Sequence, residues 1–253
     1  MFYFFLAPFL AYNWILILAA VIPAVFLLVR VYRSDRLEPE SPALLRRLVV
    51  GGVLATLLAM IIERICSLIL GSCVSVEDPL YSIILYFVIV GFAEEGSKNL
   101  FLRRRTWNHP EFNCQYDGVV YAVFVSLGFA LWENISYVLH FGFATALVRA
   151  VTAIPGHACF GVFMGIFYGL ARGSEYIGER TRSRVFNVLA VIIPALVHGA
   201  YDYVASMQIQ GTGIWKFVIF IVLLFLVSFA LVNHMSKNDK YFRMRRSYMN
   251  SRM

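Results

Sequence analysis

The chain has 253 residues, 60% of them hydrophobic and only 15% charged, with a mean hydropathy of +0.72 and a formal net charge of +7. A water-soluble domain carries about a quarter charged residues and roughly half apolar ones. An ordinary soluble enzyme is thereby excluded, no polar stretch is long enough for a separate soluble domain, and the expected class is an all-α, polytopic transmembrane helix bundle.

Spanning the hydrocarbon takes about 20 apolar residues at 1.5 Å rise each. Seven segments qualify, at 9–31, 44–70, 80–102, 116–139, 143–170, 185–206 and 214–233. The first is too long for a signal peptide and lacks its basic leader region, so a retained helix is expected. The fifth is long and contains Pro155, which predicts a kink or a tilt. Connections after spans one, three and five, and the segment after span seven, are rich in Arg and Lys, whereas those after spans two, four and six have neither. Basic loops face the cytoplasm, so the amino terminus is expected outside and the carboxyl terminus inside. Residues 1–236 then form one integral membrane helical domain and 237–253 a basic cytoplasmic tail. The positive excess lies on loops beside anionic lipid. Nucleic-acid binding is not expected, because no basic folded domain exists to perform it.

Ionisable residues inside the spans are costly in lipid and mark function when they face a bundle interior or a wet cavity. Span two holds Glu63 and Arg64; span three holds Glu94, Glu95 and Lys98; span four holds Asp117 and Glu133, the latter followed by Asn134. Span five holds Arg149 and His157, and span six holds His198 and Asp202. Glu94 and Lys98 are four apart and share a helix face, and Lys98 is three from Glu95. One ammonium thus serves two adjacent carboxylates that resist joint ionisation in low dielectric. His198 and Asp202 are again four apart, so the carboxylate can fix the imidazole's tautomer.

Several of these residues also have a purely structural reading. Glu63 and Arg64 make a candidate ion pair, Asp117 a candidate cap for span four, and Arg149 a candidate neutraliser of a buried carboxylate or a substrate contact. The scattered Cys66, Cys73, Cys114 and Cys159 form no CxxC and read as small packing residues. Gly161, Gly165 and Gly169 form a ladder for close helix approach. Acids and imidazoles spread over four spans are harder to explain as packing, and a shared functional site is expected.

The blocks EEGSK (94–98), DGVVYAVFVSLGFALWEN (117–134), RAVTAIPGHACFGVFMG (149–165) and HGAYD (198–202) resemble the PrsW family of intramembrane proteases, related to the CAAX-protease and bacteriocin-processing superfamily. The matching marks are Glu94-Glu95-x-x-Lys98, Phe129-x-x-x-Glu133 and His198-x-x-x-Asp202. The resemblance covers four of the seven spans. It implies an endopeptidase of a bacterial cytoplasmic membrane that cuts membrane-anchored proteins, as in site-1 cleavage of an anti-sigma factor.

Hydrolysis at mid-membrane needs an activated water and a stabilised oxyanion. Ser97 has no evident base, and Cys159 lies two residues from His157 on a different face, so nucleophilic catalysis is disfavoured. Two mechanisms stay open. In one, Glu94 or Glu95 works with His198 on water, with Glu133 and His157 completing the catalytic set and Lys98, Asp202, Asn134 and Arg149 in support. In the other, His157 and His198 with one or two of Glu95, Glu133 and Asp202 bind Zn2+, and a remaining glutamate is the base. A proton-coupled transporter is the alternative function, since intramembrane Glu, His and Asp make proton relays. No inverted repeat supports it. A seven-helix receptor fits the topology but gives no reason for clustered acids and imidazoles.

Overall fold

The computed structural model describes the backbone of residues 2–35, 37–209 and 213–242, and side chains from Trp14 onward within those ranges except at 208 and 209. Most of the basic tail expected at 237–253 lies outside the described residues. The described chain is helical: α1 (Phe2–Tyr32), α2 (Pro42–Cys73), α3 (Pro79–Ile83), a π-helical stretch (Ile84–Val90), α4 (Gly91–Thr106), α5 (Asp117–Phe141), α6 (Phe143–Val151), α7 (Ala153–Tyr176), α8 (Arg180–Ile209) and α9 (Ile214–Lys237). These make seven rods long and apolar enough to cross a membrane, with α3 to α4 forming one and α6 to α7 another.

Local chemistry sets the ends. Ser41 caps α2 by accepting from the Leu44 N–H at 3.4 Å, with Pro42 at the first helical position. Asp78 caps α3 by accepting from the Leu80 N–H at 2.8 Å, again with a proline behind it. Gly142, at φ 83°, turns the chain from α5 into α6. The kink expected at Pro155 is a break three residues earlier, at Thr152 (φ −118°, ψ −71°). A proline ring excludes the carbonyl four residues back but is tolerated in a helix's first turn. The chain therefore restarts before Pro155, and the Thr152 hydroxyl donates to the Val148 carbonyl at 2.7 Å.

Helix α5 is the axis of the bundle. It is buried continuously from Asp117 to Ala130, enclosed by α1, α2 and α7. Its contact with α7 is nearly backbone to backbone: a Cβ on Gly165 would stand 2.5 Å from the Gly118 carbonyl oxygen, and one on Gly161 2.9 Å from the Val123 Cα. The outer faces carry bare apolar side chains such as Ile61, Trp215 and Phe229, as a lipid-facing surface requires. Glu63 and Arg64 make no ion pair with one another. Consecutive residues point about 100° apart on a helix, so Glu63 turns inward while Arg64 is exposed. Asp117 makes no capping bond within α5 either. Its Oδ2 reaches back to accept from the backbone N–H groups of Asn113 (2.9 Å) and Cys114 (2.6 Å).

Candidate active site

The site is assembled where α4 and α8 approach most closely. A Cβ on Gly91 would meet the Ala195 carbonyl oxygen at 2.5 Å, and one on Gly199 the Phe87 Cα at 2.8 Å. The π-helical stretch Ile84–Val90, which runs directly into α4, forms part of this contact through Phe87. Such a stretch inserts a residue into the helical register and re-aims every side chain beyond it. Glu94, Glu95 and Lys98, on the first two turns of α4, are the side chains re-aimed here.

Lys98 is wholly enclosed. Its ammonium donates to Glu94 Oε2 (3.1 Å) and Glu95 Oε1 (2.7 Å), lies 3.1 Å from His157 Nδ1, and sits 4.1 Å above the Phe129 ring. His198 Nδ1 is 2.9 Å from Glu95 Oε1 and 3.8 Å from Glu94 Oε2, and its Nε2 is 3.4 Å from Asp202. His157 Nε2 lies 2.8 Å from Glu133 Oε2. The two imidazoles meet edge to face at 5.2 Å, and Phe160 stacks on His198 at 4.4 Å. Phe160 belongs to an aromatic cluster with Tyr201 and Phe217 that ties α7, α8 and α9 together.

Arg149, on α6, places Nη2 2.9 Å from Glu133 Oε2. That contact is an ion pair without hydrogen-bond alignment, so Nη2 keeps an uncommitted proton. Its Nε donates to Asn134 Oδ1 at 2.9 Å, and Asn134 donates in turn to the Ala20 carbonyl of α1 at 3.2 Å. Nine residues named from the sequence, Glu94, Glu95, Lys98, Glu133, Asn134, Arg149, His157, His198 and Asp202, thus form one contiguous network. Ser97 Oγ has no hydrogen-bond partner among the described residues, and Cys159 lies in the apolar cluster with Phe160.

A cavity of about 390 Å³ opens onto this network, with Glu63, Glu94, Glu133, Arg149, His198 and Asp202 on its walls. At roughly 30 Å³ per water in the liquid, it has room for about a dozen waters or a stretch of extended peptide. Glu63 is an addition to the site: its charge is visible in span two, but the adjacent Arg64 offers it a false partner. Phe160 has no signal in the sequence beyond being one of many aromatics.

Donor atoms of Glu94, Glu95, His157 and His198 all lie within 4.8 Å of one another. Two imidazoles and two carboxylates are donor types that zinc accepts. The far nitrogen of each ring faces an outer carboxylate, Glu133 for His157 and Asp202 for His198. This is the arrangement that orients metal-bound histidines. A hydrolytic zinc takes three protein donors and a water, so Glu95, His157 and His198 fit it in type and number with Glu94 left over, although the Lys98 ammonium stands among the same donors.

Residues 39–232 match the sequence model of the PrsW family intramembrane metalloproteases. The chain is 32% identical to Protease PrsW of Bacillus subtilis (strain 168) over 191 residues, 76% of this chain and 83% of that protein. It is 34% identical to Protease PrsW of Geobacillus kaustophilus (strain HTA426), covering 74% and 78%. With Protease PrsW of Shouchella clausii (strain KSM-K16) it shares 30% identity over 84% of this chain and 93% of the relative. No solved structure matches.

Proposed function

Because the chain belongs to the PrsW family of intramembrane proteases, a hydrolase family of the bacterial cell membrane, we propose that its cavity is the catalytic chamber, in which a peptide bond of a membrane-anchored protein is hydrolysed by water. The reading rests above all on one observation: Glu94 lies on the cavity wall while Glu95 is fully enclosed between Lys98 and His198. Two adjacent carboxylates in one site are thus given different surroundings, the usual way of dividing roles between them.

Glu94 is the base that takes a proton from water, since it has access to the chamber and a single ammonium contact. Glu95 holds Lys98 and His198 in place. Asp202 holds the opposite side of the His198 ring, and Glu133 does the same for His157. Arg149, with an uncommitted Nη2 proton, faces the carbonyl oxygen that becomes negative during attack. Glu95, His157 and His198 would hold a zinc ion, leaving Glu94 free as the base; when bound, the ion would lower the pKa of water to about 7 and polarise a carbonyl. The substrate is proposed to be a membrane-anchored protein such as an anti-sigma factor, and the amino terminus to face outside with the carboxyl terminus in the cytoplasm. The transporter reading draws no support from the family matches.

The test is cleavage in membranes that contain the wild-type chain, Glu94→Gln or His198→Ala, with the membrane proteome compared for fragments. General acid–base groups contribute about 10²–10⁴-fold. Both variants should lose at least about 100-fold in fragment formation while still purifying as folded protein. A Glu94→Gln chain that cleaves at the wild-type rate refutes the assignment of the base.

A further inference from the structure

At the far end of α4, about 18 Å along its axis from Glu94, a second group of acids closes around itself. Asp35 follows α1, Glu40 precedes α2, and Asp117 opens α5; their carboxylate oxygens lie within 4.8 Å of one another. Asp239, just after α9, has a carboxylate oxygen within 4.8 Å of Asp117 and of the Cys114 sulfur. Four carboxylates from connections distant in sequence thus share one corner, and none has an ion-pair partner among the described residues.

Glu40 is the decisive group. It is only 4% exposed, and its Oε2 has no hydrogen-bond partner among the described residues. The oxygens of half-buried Asp35 are also enclosed, with only the backbone N–H groups of Leu37 and Glu38 near them. Burial, with the Asp117 carboxylate beside it, pushes Glu40 up to about 9, and burial also raises Asp35 and Asp239. A buried acceptor without a donor costs about 1–3 kcal/mol, and more when charged. Several such acceptors facing one point call for a cation.

We propose that Asp35, Glu40 and Asp117, with Asp239 beside them, bind a hard divalent cation, Mg2+ or Ca2+. Carboxylate oxygens are the ligands such ions take, Mg2+ keeping several waters and Ca2+ accepting more oxygens. Cys114 does not turn the site toward zinc: burial pushes its thiol well above the ordinary range, and the S–H donates to Asn113 Oδ1 at 3.1 Å. The ion is a clasp. It closes onto segments already drawn together by the Ser236 hydroxyl donating to the Ser34 carbonyl (2.8 Å), the Phe242 N–H donating to the Asn113 carbonyl (2.7 Å), and the Ser41 N–H donating to Glu111 (2.9 Å). The connections leading into α2 and α5, and the end of α9, are thereby fixed relative to one another. The site does not depend on the protease reading and stands or falls separately.

The experiment is thermal unfolding of the full-length chain in detergent, stripped with EDTA, then supplied with about 10 mM Mg2+ or Ca2+ at constant ionic strength. The wild-type midpoint should rise by about 5 °C with at least one of the two ions. Glu40→Gln and Asp35→Asn should each lose most of that rise, and Asp35→Asn, the less buried site, serves if Glu40→Gln does not fold. A His198→Ala chain should keep it. No response of the wild-type chain to either ion, an undiminished response in both acid variants, or loss of the response in His198→Ala would each overturn the proposal.

Discussion

Lys98 is the residue on which the site's electrostatics turn. One ammonium, itself wholly enclosed, contacts two buried carboxylates and an imidazole. Removing one partner of a buried ion pair costs about 3–5 kcal/mol, because an uncompensated charge remains. Lys98→Met should therefore lower unfolding stability in detergent by about that much and abolish cleavage, and adding Glu95→Gln should restore part of the stability but none of the activity. Asp202 acts at one remove, through the His198 ring. Asp202→Asn should reduce cleavage about 10–100-fold and displace the pH profile, with little loss of stability; an unchanged profile would mean that Asp202 does not position the imidazole. At this scale the sequence is informative where partners lie on one helix. The spacings of Glu94 to Lys98 and His198 to Asp202 place each pair on one face, and the pairs meet at 3.1 and 3.4 Å. The pairings across helices, Glu95 with His198 and Glu133 with His157, depend on packing that no single-chain periodicity contains. Glu63 shows the converse: Arg64 is its neighbour in sequence and not its partner in space.

Among elements, the seven spans are legible because hydropathy follows the membrane's thickness. Their interruptions are not. The π-helical turn at Ile84–Val90 lies in an almost uniformly apolar run, where a one-residue slip in register leaves no mark on the pattern. The break at Thr152 is hidden behind Pro155, because the proline is the visible residue whereas the chain bends where its ring forbids a bond. Glycine contacts also separate by element. Gly165 has the α5 backbone against it, whereas a Cβ on Gly71 would meet nothing within 4 Å. Gly165→Val should cost at least about 1–3 kcal/mol by forcing α5 and α7 apart. Gly71→Ala should be neutral or gain up to about 1 kcal/mol from helix propensity. Equal melting points for the two variants would mean that the α5–α7 contact is not tight in the folded protein.

At the scale of the whole molecule, the site exists only when four rods are docked, because α4, α5, α7 and α8 each supply part of it. A metal held by Glu95, His157 and His198 would therefore tie together helices that glycine contacts, aromatic packing and the polar network already join. Binding to the folded state alone stabilises it by about 2.7 kcal/mol when free metal is 100 times its dissociation constant. Elemental analysis of purified wild-type chain should find about one zinc per polypeptide, and a His157→Ala/His198→Ala chain should find none. Stripping zinc with a zinc-selective chelator, at constant Mg2+ and Ca2+, should lower the wild-type melting point and leave that of the double variant unmoved. A competing outcome has its own structural basis, because Lys98 already supplies a positive charge against Glu94, Glu95 and His157. If the purified protein carries no zinc yet cleaves at full rate in the presence of a chelator, the ammonium is the site's permanent cation, and Glu94 with His198 activates water unaided.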